Sequence, residues 1–276
     1  MNFLILEDDD YYDDYQFTSD DSSWRVRRAS IHIIDTLLKN KKDMVKEISD
    51  FCILDLVRRL REKDENVRSD TFTALNNYFK AIVYGDISNV TTALEEPVSL
   101  IRMKSTACDS VNTIIDQLLQ ELLKILNGNS SISIKVKASN LLLTASLCVP
   151  NVFLNKQNWV GIFETFKSIL LDAKDHSKNE IRLNLMLCLR RLFRCHNENN
   201  IVFSEYFDDL SKICQGSIQN SYFKISAEGF RLLSAFFKVL RPSHNSPATF
   251  YGKFVKPFIP VVNNKLKEAD IDQEVS

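Results

Sequence analysis

The sequence predicts an all-α fold: a solenoid of about five to six stacked helix pairs, truncated at both ends. Three observations carry that prediction. A short phrase recurs down the chain, in which a turn rich in Asp, Asn and Ser leads to a β-branched or aromatic residue, a basic residue and an apolar helical run. It is seen at Ser23-Trp24-Arg25-Val26-Arg27, Asp64-Glu65-Asn66-Val67-Arg68, Ser133-Ile134-Lys135-Val136-Lys137, Asn179-Glu180-Ile181-Arg182, Tyr222-Phe223-Lys224 and Asp272-Gln273-Glu274-Val275. The recurrences are nearly periodic. Finally, six Gly and six Pro in 276 residues give too few turns for a sandwich or barrel of many short strands.

Taking Val26, Val67, Val136, Ile181, Phe223 and Val275 as markers, the intervals are 41, 69, 45, 42 and 52 residues. Once two insertions are allowed, these fit the roughly 40–47 residues of a HEAT or armadillo unit. Apolar residues spaced by three and four then locate the helices. Trp24 to Lys39 is the first, with Val26, Ala29, Ile33 and Leu37 as its apolar stripe. Met44 to Glu62 and Asn66 to Tyr84 form the first complete pair. Gly85 to Glu96 has little periodic apolar content and precedes Pro97, which predicts a loop insertion and a divided helix between Val98 and Leu126. The Asn127-Gly128-Asn129 turn ends that helix, with a left-handed residue expected there. Ile134 to Val149 follows, stopped by Pro150. Asn158 to Asp172 pairs with Asn179 to Cys195, and Ile201 to Ile218 with Phe223 to Leu240. Thr249 to Ala269 begins a last pair and is expected to be bent or interrupted by Pro257 and Pro260, because a proline inside a helix removes a hydrogen bond. Neither end reads as a polar cap, so the chain is expected to be a segment of a longer solenoid.

The formal charge of −1 hides a division. Residues 1–22 carry eight acids and no base, leaving 28 acids against 35 bases in the remainder, a surplus of seven positive charges. This acidic segment is expected to be flexible and solvated, and residues 23–276 to form the solenoid. No run reaches the roughly 18–20 apolar residues of a membrane span. Cys52, Cys108, Cys148, Cys188, Cys195 and Cys214 lie in apolar helical runs without Cys-x-x-Cys spacing, which predicts buried reduced thiols.

No catalytic motif is found: there is no phosphate-cradling Gly-rich loop, Gly-x-Ser-x-Gly or His-Glu-x-x-His. His32, His176, His196 and His244 are scattered, and no metal or cofactor site is expected. The charged clusters remain. Arg58, Arg59, Arg61 and Lys63 crowd a helix C-terminus, where the dipole favours cations. The basic residue after each marker is expected to pair with acids such as Asp64 or Glu180 in a ladder that fixes stacking. Arg190, Arg191 and Arg194 form a stripe that repels itself unless an acid or solvent screens it. Phe163, Phe166, Phe193, Phe230, Phe236 and Phe237 have core spacing, and because they do not interleave with bases, nucleic-acid binding is disfavoured.

Several phrases have a more specific likeness. Asp20-Asp21-Ser22-Ser23-Trp24-Arg25-Val26-Arg27-Arg28-Ala29, directly after an acidic stretch, resembles the middle region of the cullin-associated, neddylation-dissociated regulators, also called TATA-binding-protein-interacting proteins. So do Glu65-Asn66-Val67-Arg68-Ser69-Asp70, Tyr222-Phe223-Lys224-Ile225-Ser226-Ala227-Glu228, Lys238-Val239-Leu240-Arg241-Pro242 and the run from Leu266 to Val275. The resemblance implies a HEAT solenoid that wraps cullins lacking their ubiquitin-like modifier and thereby regulates assembly of cullin-RING ubiquitin ligases. It implies a non-enzymatic, cofactor-free and monomeric scaffold in cytoplasm and nucleus. The family's main grips lie towards the two ends of much longer chains. The Gly85 to Pro97 insertion and the Pro257/Pro260 pair depart from the pattern. The candidate contacts are basic positions on second helices, which would line the inner surface: Arg27, Arg28, Arg190, Arg191 and Arg194. A HEAT-repeat nuclear transport carrier and a nucleic-acid-associated scaffold are the alternatives.

Overall fold

The computed structural model describes residues 23–84, 102–103, 108–172, 175–195, 203, 205–240, 252 and 255–267. The acidic segment, the Gly85 to Pro97 insertion, His196, His244, the Arg241-Pro242 stop and the Val275 marker lie outside these residues. Among them are helices α1 (Ser23–Asn40), α2 (Val45–Phe51), α3 (Ile53–Arg58), α4 (Glu65–Ala81), α5 (Cys108–Asn127), α6 (Ile132–Cys148), α7 (Pro150–Phe153), α8 (Lys156–Leu171), α9 (Asn179–Cys195), α10 (Phe207–Ile218), α11 (Phe223–Leu240) and α12 (Ile259–Leu266). They stack in two layers. One is the row α1, α4, α6, α9, α11, in which each helix packs on the next. The other is the row α2–α3, α5, α8, α10, α12, each packed on the next and, from α2–α3 to α10, on its own second-layer partner. One apolar cluster runs between the layers from Ile31 to Phe258. The all-α solenoid is therefore the fold of this chain.

The polar contacts repeat the period independently. Arg28 with Asp70, Asp35 with Asn77 and Asn158 with Asp116 are each 42 residues apart. Asn184 with Ser139 and Arg191 with the Leu147 carbonyl are separated by 45 and 44. Contacts that cross the insertion instead span 60 to 62 residues: Arg61 with Glu121, Ser110 with Asp50 and Arg68 with Ser130. The excess of 18 to 20 over 42 measures the insertion. At its base Val83 pairs with Met103 and Tyr84 with Arg102 in a two-residue antiparallel ladder (β1 Val83–Tyr84, β2 Arg102–Met103). The ladder brings the ends of residues 85–101 together, so the stack resumes its step with α5.

Local chemistry explains the helix boundaries. Asp64 accepts hydrogen bonds from the Asn66 and Val67 amides at 2.9 Å and so caps α4, Ser131 caps α6 and Asn155 caps α8. Each cap satisfies donors that the first helical turn leaves unpaired.

The expected limits of the ninth and eleventh helices, Asn179 to Cys195 and Phe223 to Leu240, match those observed. The Met44 to Glu62 helix is instead broken at Cys52 into α2 and α3, flanked by 3₁₀ turns at Lys42–Met44 and Arg59–Arg61. Of the expected divided helix between Val98 and Leu126, the described residues are the strand Arg102–Met103 and the continuous α5 from Cys108. Within the expected Thr249 to Ala269 helix, Pro257 and Pro260 mark an interruption: a 3₁₀ turn at Lys256–Phe258 precedes α12. Both prolines stand in the first positions of the Lys256–Phe258 turn and of α12, where a missing N–H leaves no bond unmade. Gly128 is not left-handed; a side chain there would meet the Lys124 carbonyl at 2.9 Å, so the close approach is what demands glycine.

Two marker positions are displaced. The buried third residues of α6 and α11 are Ile134 and Ile225, in place of Val136 and Phe223. The stripe on α1 is also rotated: Val26 and Ile33 are 68% and 63% exposed, while Ile31, Asp35 and Leu38 are buried.

Gly229 marks the tightest helix contact. A Cβ there would lie 2.8 Å from the Ile218 amide nitrogen and 3.0 Å from the Ser217 carbonyl carbon, so the backbones of α10 and α11 meet directly. Gly229→Ala is therefore expected to cost about 1–3 kcal/mol through overpacking, despite the higher helix propensity of alanine. Urea denaturation of the two proteins measures it.

Candidate partner-binding surface

The candidate arginines divide into two environments. On the first two turns of α1, Arg25 and Arg28 lie 5.4 and 5.9 Å from the Trp24 ring centre, within cation–π range. The Arg28 Nε donates to Asp70 at 2.6 Å, and His32 Nε2 stands 3.2 Å from the same carboxylate oxygen. Arg27 Nε lies 2.9 Å from Glu62, which also meets Arg59 at 3.3 Å. Both Arg27 and Arg28 keep part of their side chains at the surface, and Arg25 is exposed.

The α9 arginines behave differently. Arg190 is 4% exposed and Arg191 wholly buried. The expectation that they offer an exposed basic stripe is thus corrected, since α9 is flanked in its layer by both α6 and α11. Arg190 Nε forms an ion pair with Glu228 at 2.7 Å, and Glu228 also accepts from Arg231 at 3.3 Å. Arg191 donates to the Leu147 carbonyl at 3.1 Å, placing a cation at the C-terminal end of α6, where the helix dipole is negative. Burial pulls the Arg191 pKa below its usual value, against smaller upward influences from Cys195 and Cys148. Arg194 is half-buried. The stripe reaches solvent only at its end.

The stacking ladder exists with other partners than those expected. Arg68 donates to Ser130, and Arg182 to the carbonyls of Asp172 and Asp175 and to Asn179. Asp64 serves as a cap, and Glu180 is exposed. Arg61, assigned to the helix dipole from sequence, also reaches Glu121 of the next unit at 2.8 Å. The sequence signal for the Arg190 partner was available in Glu228, an acid set in an apolar helical run 38 residues on, close to one repeat away.

Glu121 is buried, which alone would raise its pKa. Hydrogen bonds from Arg61 and Lys124 outweigh that and hold it below the ordinary carboxylate value. A depressed folded pKa contributes stability that is present above the unfolded value, near 4.3, and is lost as pH falls through the folded one. Stability is accordingly expected to fall on acidification below about pH 4.3, and Glu121→Gln to flatten that part of the curve. Urea midpoints measured from neutral to acidic pH provide the check.

Cys52, Cys148, Cys188, Cys195 and Cys214 are free thiols. Burial pushes Cys188 and Cys214 up to about 12 and also raises Cys52, Cys148 and Cys195, so the thiolate form is suppressed. Among the described residues, no three or more His, Cys, Asp or Glu side chains are grouped to hold a metal ion, and no helix is long and apolar enough to cross a membrane. A groove of about 230 Å³ opens between α1 and α2–α3, lined in part by Val26, Arg27, Ile34, Phe51, Cys52 and Arg59.

Known proteins place this architecture. A crystal structure of an engineered protein from the Northeast Structural Genomics Consortium superposes with a TM-score of 0.50 over 89% of this chain and 94% of its own, at 13% identity, a likeness of fold alone. "Cullin-associated NEDD8-dissociated protein 1" of Arabidopsis thaliana is 23% identical over 92% of this chain, and its namesake in Drosophila melanogaster 25% identical over 99%. "Cullin-associated NEDD8-dissociated protein 2" of Mus musculus is 24% identical over 93%. The chain spans only 20–21% of the length of these relatives. The family described as "CAND1-like, TPR repeats" matches residues 109–276. The 42-residue separation of stacked contacts is nearer the HEAT period than the roughly 34 residues of a tetratricopeptide unit. By that match and by its two-layered helical stack, the chain belongs to the CAND1-like family and corresponds to a middle segment of it.

Proposed function

We propose that this chain serves as a central part of a regulatory scaffold for cullin-RING ubiquitin ligases, with preference for cullins lacking the ubiquitin-like modifier. The observation that carries this reading is the likeness to cullin-associated proteins along 92–99% of the chain. The stack is suited to such work, because paired helices offer a long wall whose many weak contacts select by shape and charge. On this reading the contact set on the second-layer helices is reduced to Arg27, Arg28 and Arg194, and the exposed Arg25 beside Trp24 is added to it. Arg190 and Arg191 act in the interior.

Immobilised chain, and a full-length relative carrying the same segment, are to be presented with cullin–RING complexes bearing or lacking the modifier. Retention of the unmodified complex by the full-length protein, with weaker retention of the modified one, is the expected result. Equal retention of both, or of neither, would refute the reading. Arg28→Glu is expected to lower the association rate and its salt dependence, which separates a surface role for α1 from a spacer role.

A further inference from the structure

We propose that the outward face of α6, α9 and α11 is a docking surface for an acidic amphipathic helix of a partner protein. In these three units the charge is divided between the layers. In the second layer α6 carries two bases and no acid, α9 four bases and one acid, and α11 three bases and one acid. In their first-layer partners α5, α8 and α10 acids outnumber bases. The two second-layer carboxylates neutralise little of this wall, because Glu228 is buried between Arg190 and Arg231 and Glu180 stands in the first turn of α9. Arg182, Arg190 and Arg191 are themselves buried. The surface charge is therefore that of the half-buried Lys135, Lys137 and Arg194 and of the exposed Lys224, Arg231 and Lys238. Among the described residues, no carboxylate lies within ion-pair distance of Lys137, Lys224 or Lys238.

An apolar pair stands in the middle of these bases. Ile181 and Leu185 of α9 are buried, Asn184 meets Ser139 of α6, and Arg190 meets Glu228 of α11. With 3.6 residues per turn, Leu183 and Leu187 fall on the remaining, outward face, where both stay half-buried. They follow the inward Ile181 by two and six residues. The same two positions hold Ser69 and Thr73 on α4, Val136 and Asn140 on α6, and Ala227 and Arg231 on α11, so of these four helices α9 alone places a leucine pair there. Because α9 is flanked by both α6 and α11, this face is bounded on each side by the stack itself.

Width and charge select the occupant. Packed helices lie about 8–10 Å apart, so the bases of α6 and α11 stand at roughly that distance on either side of the leucine pair. A helix about 10–12 Å across, laid along α9, rests apolar side chains spaced by three and four on Leu183 and Leu187 and brings carboxylates on both its flanks to the bases. A single extended strand is too narrow to reach both rows. A phosphate backbone would answer the charge and leave the leucines uncovered.

The test uses the full chain and a fluorescein-labelled synthetic peptide of about 18 residues, with Leu at spacings of three and four, Glu along both flanks of that stripe and Ala elsewhere, read by fluorescence anisotropy. It should bind about tenfold more tightly than a peptide of the same composition with its Leu and Glu positions shuffled. Leu183→Ser with Leu187→Ser, side chains of the kind α4 carries there, should weaken binding about tenfold. Lys137→Glu with Lys238→Glu should do the same and flatten the salt dependence, while Lys80→Glu on α4 should leave binding unchanged. Circular dichroism checks each fold, and if the leucine variant does not fold the lysine variant decides alone. Equal binding of the two peptides, or an affinity that the paired substitutions leave unchanged, would overturn the proposal. Tighter binding of a short DNA duplex would assign the face to nucleic acid, and loss of peptide binding as chain concentration rises would assign it to a second copy; either overturns it. These outcomes do not depend on whether the partner is a cullin complex, which the retention experiment decides.

Discussion

Glu228→Ala is expected to destabilise the protein by about 3–5 kcal/mol, because it takes the carboxylate away from a buried cation. Glu228 is 1% exposed and stands between Arg190, which is nearly as deep, and the more exposed Arg231. The pair itself contributes little net stability, since removing two charges from water offsets most of their attraction. Breaking it is another matter, because Arg190 on α9 would then face the apolar contact with α11 without its carboxylate. Glu228→Gln keeps the shape and should cost less. Replacing both partners, Arg190→Met with Glu228→Leu, should recover most of the loss. In a stack whose units touch only their neighbours, weakening the α9–α11 contact should also let α10–α12 unfold before the rest. Guanidinium denaturation followed by far-UV circular dichroism reads both effects, as a lower midpoint and as a second transition.

The second large effect is expected at Trp159, whose replacement by alanine should cost about 3–5 kcal/mol. The indole is buried on α8 and lies 5.3 Å from the Phe203 ring, 5.5 Å from Phe163 and 6.0 Å from Tyr206, mostly edge to face. Phe203 contacts Phe193 of α9 at 4.9 Å, and Phe193 stacks on Phe236 of α11 at 5.4 Å. One aromatic chain thus joins α8, α9 and α11 through a residue of the α9–α10 connection. Truncation leaves a void that rigid neighbouring rings cannot close, so both the transfer and the cavity contributions are lost. Trp159→Phe should cost markedly less. Thermal unfolding of the three proteins gives the comparison.

The period was legible from sequence because α4, α6, α9 and α11 each open after a polar turn with an inward third residue, Val67, Ile134, Ile181 or Ile225, beside a base. Asn179–Cys195 and Phe223–Leu240 could be delimited to the residue because both are strongly periodic and bounded by polar sequence. The face of α1 was misread for a reason of partnership. Asp35 is buried and accepts from Asn77 one repeat on, so a charged residue occupies the inward face while Ile33 points out. The same reason hid the nature of the α9 stripe. Arginine counts as surface in any pattern of hydrophobicity, and Arg190 and Arg191 are interior only because Glu228 and the Leu147 carbonyl, from the following and preceding units, meet them. The surface placement of the α1 candidates was easier to read, since Arg27 and Arg28 keep surface exposure while pairing with Glu62 and Asp70.

The stack's central geometric property is that neighbours in the second layer are one repeat apart in sequence, and that this step survives the insertion. Paired cysteine substitutions test it directly: Arg28→Cys with Asp70→Cys before the insertion, and Arg68→Cys with Ser130→Cys across it, each followed by mild oxidation and mass spectrometry of the linked peptides. Cross-links within both pairs, and none between Arg28→Cys and Ser130→Cys, are the predicted result. A link between positions 28 and 130, or failure of the Arg68 and Ser130 pair in a folded chain, would contradict an open stack in continuous register.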